Sequence, residues 1–518
     1  MASLRQLVGN LPPHVRQALL AASVMLAAII QILDTTIANV ALPHMQGTLS
    51  ATQDQISWVL TSYIIMAAIV MPMTGFIAGR FGRKRMLLWS VAGFTIASGL
   101  CGAAQTLEEA VLARLLQGVF GASLVPVSQS VLLDTFPREK HATAMSLWGI
   151  GVMVAPILGP TIGGWLTEYY NWRWVFYINL PFGILSLVGV ILLVEESAID
   201  RERKFDVFGF LLLGISIGCL QLLLDRGKSL YWFDSLEIVT EAVIAALFFY
   251  LFVVHMFTHK RPFIEPSLFR DRNFSLGLVT IFFVGVVLLA TMALLPPFLQ
   301  HLMGYSVFDA GIILAPRGAG TMFGMILATR LMPRLDPRYI IVLGSSLTTL
   351  SLWLMTHFTL DVSEPVIIWT GVLQGMGLGF IFVPLSTIAF LTLDPVLRTE
   401  GSAIYSLVRN IGSGIGISVV MTALADNLQY NHAVLTEHIT PFNHWLDWGM
   451  VPKIWDTHSV TGLATLDAEI LRQAAQSAYL QDFQLIMWMT VILIPLGLIM
   501  HNPGQPVINA DPHTVAPD

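Results

Sequence analysis

Apolar stretches of about 20 residues, each closed by a short polar or basic segment, recur along the whole chain. They read at roughly 17–42, 55–78, 86–105, 109–133, 142–164 and 174–194, then at 207–225, 236–257, 274–298, 307–329, 338–358, 365–392, 402–425 and 481–501. About 20 apolar residues, rising 1.5 Å each, carry a helix across the hydrocarbon core of a bilayer. The pattern predicts fourteen transmembrane helices and an all-α polytopic membrane protein. One interruption is long: residues 426–480 are polar and carry His432, His438, His444 and His458 beside Phe442, Trp445 and Trp448. The histidines lack metal-ligand spacing, so a solvated hairpin or a partner-contacting helix is expected there, and no metal.

A series of landmarks occurs twice. Leu116-Gln117-Gly118, Pro126-Val127-Ser128, Asp134-Thr135-Phe136-Pro137 and Ser146-Leu147 return as Leu373-Gln374-Gly375, Pro384-Leu385-Ser386, Leu393-Asp394-Pro395 and Ser406-Leu407, offset by 257 to 260 residues. Ala78-Gly79-Arg80 before one basic loop likewise has a counterpart in Ala328-Thr329-Arg330 before another. Matching the fourth span to the twelfth makes spans 1–6 and 9–14 equivalent and parallel, with two extra spans between them. Paired six-helix halves with a substrate site between them are a transporter architecture. The expected division is a terminal segment 1–16, a first half 17–194 and a linker 195–273 holding the two extra spans. A second half 274–501, which includes the polar segment 426–480, and a Pro-rich tail 502–518 complete it.

Charge sets the orientation. Nineteen Lys and Arg residues fall on one side of the spans and five on the other, leaving Arg114, Arg317 and Arg409 inside them. The basic side is expected to be cytoplasmic, with both termini on it. Composition agrees with the membrane reading: 12% of residues are charged, against about 25% in a soluble domain. The net charge of -6 and the lack of a basic tract offer nothing to nucleic acid. The first apolar run is too long for a signal-peptide core and ends in Leu-Pro-His, so it is expected to remain as the first span. Cys101 and Cys219 both lie in apolar runs, which makes a disulfide framework or a thiolate metal site improbable. There is no nucleotide-binding loop, no H-E-x-x-H and no G-x-S-x-G, so neither a cofactor nor an enzyme is expected.

The embedded charges carry the candidate chemistry. Asp34 sits about eight residues before the far end of the first span, on the order of 12 Å inside, where an ionised carboxylate costs roughly 2.5–3.5 kcal/mol on insertion scales. Arg114, in the fourth span, reaches a similar depth and is the expected partner. A proton on Asp34 would weaken the attraction, so the pair is a candidate for proton coupling; the alternative is a static pair that only orders helix packing. Arg317 is a candidate cavity cation, while Arg409 lies near enough to the basic end to snorkel. Gln31, Tyr63, Gln117, Gln129 and Gln374 are further candidates for a cavity lining. Gly151, Pro156, Gly159, Pro160, Gly163 and Gly164 crowd one span and suggest a rocking or gating element. Gly75, Arg80, Gly82, Arg83 and Lys84 close the second span with tight packing and a basic cluster.

These residues together resemble the fourteen-span drug:proton antiporters of the major facilitator superfamily, the EmrB/QacA type. The resemblance rests on Leu33–Pro43, Gly75–Lys84, Arg114–Gly118, Gly151–Gly164 and Trp172–Pro181, and it covers nearly the whole chain. Leu224-Asp225-Arg226-Gly227-Lys228 followed by Trp232-Phe233 is similar to the EmrB branch. The resemblance implies a major facilitator fold in a bacterial inner membrane and export of hydrophobic or amphipathic compounds driven by inward proton flow. It also implies a tripartite pump with a periplasmic adaptor and an outer-membrane TolC-type channel. The loop motif usually carries an acid where this chain has Gly79, which puts conformational locking through that loop in doubt. Two other readings compete: a narrow exporter of an anionic amphiphile such as a fatty acid or bile salt, and a non-transporting membrane scaffold or sensor.

Overall fold

A computed structural model describes residues 12–197, 199, 205–437, 439, 455 and 459–501, without the side chains of 53, 54, 138, 154, 157, 160, 307 and 308. The described chain is helical, with no strand. Six helices make up the first group: α1 (Pro13–Thr48), α2 (Gln55–Phe81), α3 (Arg83–Ala103), α4 (Leu107–Thr135), α5 (His141–Tyr169) and α6 (Trp174–Leu193). Two follow: α7 (Val207–Arg226) and α8 (Leu236–Thr258). The last six are α9 (Arg272–Leu302), α10 (Asp309–Leu331), α11 (Pro337–Met355), α12 (Glu364–Leu391), α13 (Arg398–Glu437) and α14 (Val460–Ile499).

Thirteen helices of the described chain are apolar and long enough to cross a membrane. The remaining expected span, α5, is one helix of 29 residues, about 43 Å at 1.5 Å per residue. Polar residues punctuate the lead-ins. Thr52 and Gln55 form a capping box before α2, Thr106 caps α4, Asp206 caps α7 and Ser459 caps α14. Each satisfies a backbone donor that the first turn leaves open. Prolines mark the irregular turns: Pro72 lies in a 3₁₀ turn within α2, and Pro296 and Pro297 precede a π turn over Phe298–Leu302.

The neighbours repeat as the landmarks do. In the first group α1 packs on α5 and α6, α2 on α4, and α3 on α4 and α6. In the last group α9 packs on α13 and α14, α10 on α12, and α11 on α12 and α14. Glycines at matched positions make the matched approaches. A Cβ on Gly118 would meet the Tyr63 carbonyl at 2.7 Å, and one on Gly375 would run into the Arg317 carbonyl. The pair α7–α8 lies across the seam between the groups. Gly214 and Gly218 of α7 face Ile69 of α2, while the Leu224 carbonyl accepts a 3.0 Å hydrogen bond from Ser418 of α13.

Beyond the expected spans, α13 and α14 each run for 40 residues, about 60 Å and twice a hydrocarbon core. Much of the polar stretch 426–480 is therefore two helical arms, joined by Asn427–Asp482, Asn431–Gln481 and His432–Asp467 contacts at 3.3, 3.2 and 2.9 Å. His438, His444, His458, Phe442, Trp445 and Trp448 lie outside the described residues, as does the tail 502–518.

Candidate functional site

Asp34 and Arg114 meet at the centre of the first helix group, and both are fully buried. Arg114 Nη1 donates to Asp34 Oδ2 at 2.5 Å and to Gln117 Oε1 at 2.8 Å, while its Nε donates to the Val59 carbonyl at 2.9 Å. Asp34 Oδ1 accepts from Gln117 Nε2 at 2.9 Å and from Asn179 Nδ2 at 2.8 Å. Arg114 and Gln117 stand one helical turn apart on α4, which lets one amide touch both charges. The Arg114 guanidinium also lies 4.3 Å from the centre of the Tyr63 ring, a cation–π contact. Removing two ions from water costs several kcal/mol each, and only good geometry with further hydrogen bonds repays it. Here the carboxylate has three donors and the guanidinium three acceptors, with only Nη2 lacking a hydrogen-bond partner among the described residues.

The surrounding helices are built to admit this network. Thr35 and Thr36 return their hydroxyls to the carbonyls of Gln31 and Leu33 on α1, so they do not compete for Asp34. Gly159 of α5 lies directly on Thr36, and a Cβ on Gly163 would come within 3.3 Å of the Ile37 carbonyl. A Cβ on Gly151 would press Ile29 at 3.1 Å, whereas Gly164 has nothing within 4 Å. Three of the crowded glycines thus press α5 onto α1 around Asp34. Pro156 and the backbone of Pro160 fall within the same unbroken helix, the Pro160 side chain being outside the description.

A second polar cluster joins the two helix groups at the basic end. Asp134 of α4 pairs with Arg83 at the start of α3 and, at 3.1 Å, with Arg398 of α13. Ser402 of α13 donates to Gln129 Oε1 at 2.6 Å and to the Pro126 carbonyl at 3.1 Å. A Cβ on Gly75 would stand 2.7 Å from both Cα and Cβ of Glu400, so only glycine permits this approach of α2 to α13. Gly82 has φ +94°, and the Glu196 carboxylate fills the space beside it. Lys84 donates to the Ile191 and Val194 carbonyls at the end of α6, where a cation suits the helix dipole. Arg80 lies against Phe81. With Gly79 in the loop motif, the contact between Arg83 and α13 runs through Asp134 of α4.

The cavity candidates fall in separate places: Gln31, Tyr63 and Gln117 gather around Arg114, while Gln129 lies at the basic end and Arg317 and Gln374 lie in the second helix group. Gln31 Nε2 donates to the Tyr63 hydroxyl at 3.0 Å, and Gln374 Nε2 donates to Thr291 Oγ1 at 3.1 Å. Gln117 belongs to the Asp34 network and Gln129 to the basic-end cluster. Arg317 is 7% exposed and its Nη2 has no hydrogen-bond partner among the described residues. A cavity of about 1370 Å³ opens at the basic end and is lined by Gly75, Arg83, Asp134, Lys260 and Arg398 among others, but by none of those candidates. Amides spent on interhelical hydrogen bonds explain this, because a buried amide without a partner is costly.

Asn179, as a direct ligand of Asp34, and Asp134, as a bridge, were not singled out by sequence. Asn179 is a lone amide among apolar residues in the first turns of α6, and that polarity is the available signal. Replacing Gln117 by Leu is expected to destabilise the folded protein by about 1–3 kcal/mol. Asn179→Leu should cost a similar amount, because Asn179 Nδ2 donates both to Asp34 Oδ1 and, at 3.0 Å, to Ser98 Oγ. Chemical denaturation in detergent measures both.

Residues 24–417 match the Major Facilitator Superfamily. The chain is 37% identical over 423 residues to the fatty acid resistance protein FarB of Neisseria gonorrhoeae, covering 81% of this chain and 83% of that one. It is 34% identical over 487 residues to the multidrug export protein EmrB of Escherichia coli K12, covering 92% and 93%. The fold is similar to that of the human organic anion transporter TETRAN, with a TM-score of 0.57 at 13% identity over 93% of this chain and 100% of that one. It is also similar to a bacterial homologue of the human lysosomal transporter Spinster, with a TM-score of 0.53 at 18% identity over 95% and 97%.

Proposed function

This chain belongs to the Major Facilitator Superfamily, and from that premise we propose that it is a proton-driven exporter of hydrophobic and amphipathic compounds on the EmrB plan. It is a multi-pass membrane transporter and not an enzyme. The observation that carries the proposal is the fully buried Asp34–Arg114 pair inside a membrane span. The basic end faces the cytoplasm in this reading, the opposite end faces the periplasm, and the membrane is a bacterial inner membrane.

Deprotonated Asp34 holds Arg114, Gln117 and Asn179 together. A proton reaching Asp34 removes its attraction to the guanidinium, and the new O–H must donate, with the unpartnered Asn179 Oδ1 available on a residue already touching Asp34. That rearrangement moves α1 against the glycines of α5. The other end of α5 packs on the second helix group, where Trp148 stacks on Phe382 at 5.8 Å and a Cβ on Gly149 would press Met325 at 3.0 Å. The charge change thus has a packed route to the second group. The Asp134 cluster serves as the cytoplasmic gate, closed in this conformation. A proton entering down about 100 mV supplies roughly 2.3 kcal/mol, enough to export a weakly bound substrate uphill.

The name of FarB and the unpartnered Arg317 favour anionic amphiphiles as part of the range. A growth screen in a pump-deficient host across cationic, neutral and anionic toxicants tests the range directly. Protection against several chemical classes is expected; protection against none would refute export.

The helical arms of α13 and α14 extend past the hydrocarbon core and are the expected seat of a periplasmic adaptor, which a TolC-type outer-membrane channel would complete. On these otherwise polar arms Tyr430, Val460, Leu463 and Leu471 are exposed, and exposed apolar groups mark contact surfaces. Leu463→Glu with Leu471→Glu is expected to abolish co-purification with the adaptor while leaving proteoliposome transport unchanged.

A further inference from the structure

The two helix groups share more than their packing. At the repeat offset of 257 residues, Gln117 falls on Gln374, Asp34 on Thr291 and Arg114 on Gly371. The hydrogen bonds correspond: Gln117 Nε2 donates to Asp34 Oδ1 at 2.9 Å, and Gln374 Nε2 donates to Thr291 Oγ1 at 3.1 Å. The glycine contacts correspond too. A Cβ on Gly118 would meet the Tyr63 carbonyl and, at 3.2 Å, the Ala67 amide; one on Gly375 would meet the Arg317 carbonyl and, at 3.0 Å, the Thr321 amide. Arg317 therefore stands where Tyr63 stands in the first group. Its Cβ lies 3.7 Å from the Cβ that Gly371, the counterpart of Arg114, lacks. The second group keeps one guanidinium at this place, moved from α12 to α10, and has a hydroxyl where the first has a carboxylate.

Arg317 is nine-tenths buried and makes no ion pair among the described residues, and its Nη2 is without a hydrogen-bond partner. Gln374 is fully buried and its Oε1 is equally unpartnered. A guanidinium keeps its charge in proteins, and burying one without an anion is expensive. About eight residues inside α10, on the order of 12 Å, it lies too deep to reach water easily.

We infer that Arg317, Gln374 and Thr291 form a subsite for a ligand carboxylate, the counterpart of the Asp34 network with the acid left to the ligand. The guanidinium fork matches a planar carboxylate. Gln374 Nε2, which now donates to Thr291 Oγ1, keeps a second N–H for the ligand, and Gly371 places no side chain beside Arg317. Its ligand is a single-chain amphiphile with a carboxylate head, whose tail suits the apolar surroundings. This rests on the exporter reading for its purpose but is measurable without transport.

The test titrates purified full-length protein in a neutral detergent with dodecanoate, dodecanamide and dodecyl phosphate by calorimetry. Arg317→Gln is expected to weaken dodecanoate at least tenfold, and Arg317→Lys to weaken it less. Thr291→Asp supplies an internal carboxylate beside Arg317 and is expected to abolish dodecanoate binding. Dodecanamide should bind all variants alike. Unchanged dodecanoate binding in Arg317→Gln and Thr291→Asp would overturn the subsite, as would an equal loss of dodecanamide. Tighter binding of dodecyl phosphate than of dodecanoate would overturn the carboxylate assignment. Failure of the exporter reading would appear separately, as wild-type protein that binds dodecanoate but shows no substrate-dependent proton flux.

Discussion

A double variant, Asp34→Asn with Arg114→Gln, is expected to fold nearly as well as the parent and to export nothing. Either change alone leaves an uncompensated charge in a fully buried network, and breaking a buried pair from one side costs about 3–5 kcal/mol. Arg114→Gln strands the Asp34 carboxylate with only the Gln117 and Asn179 amides. Asp34→Asn strands the guanidinium and turns an amide donor toward other donors. With both changes the core is neutral and its amides can pair, so much of the lost stability should return. Transport should not return, because no group remains to take a proton. Denaturation midpoints and proteoliposome export measure the two halves of this expectation. A double variant that recovers export along with stability would mean the pair only orders packing.

Gly75→Val is expected to open the basic end and reduce export at least tenfold. Even a Cβ at position 75 would stand 2.7 Å from Glu400 Cα and Cβ, a distance real Cβ atoms do not tolerate. The neighbour is backbone, so α2 and α13 must separate. Separation would pull Ser402 from Gln129 and Arg398 from Asp134, exposing Thr399 and Ser402, which are now buried. Hydrogen exchange over 126–134 and 398–405 should rise. Asp134→Asn is expected to act the same way more weakly, since it leaves Arg83 and Arg398 facing each other without the acid between them. Unchanged exchange and transport in Gly75→Val would remove the gate from the account.

The spans were legible because hydrocarbon demands about 20 apolar residues and little else satisfies that demand. The Asp34–Arg114 pair was legible for the complementary reason: a buried charge is expensive enough to stand out, and orientation puts both at one depth. Gln117 and Asn179 give a weaker signal, since an amide is cheaper to bury and does not declare its partner. Sequence alone places Gln117 among the candidates for a cavity lining; in the structure it touches both charges. The arms of α13 and α14 escaped because a polar helix beyond the bilayer carries no hydropathy signal. The Asp134–Arg398 contact joins residues 264 apart in sequence, and nothing local announces it. The repeat was legible in Leu-Gln-Gly, but the exchange of Tyr63 for Arg317 needed the glycine contacts in three dimensions.

The claim that Asp34 takes the coupling proton is tested most directly by proton flux. Wild-type protein and Asp34→Asn are reconstituted in proteoliposomes holding a pH-sensitive dye, and substrate is added at equal internal and external pH. Wild-type protein is predicted to give substrate-dependent proton movement, and Asp34→Asn to bind substrate without it. Equal flux from both proteins would contradict the account.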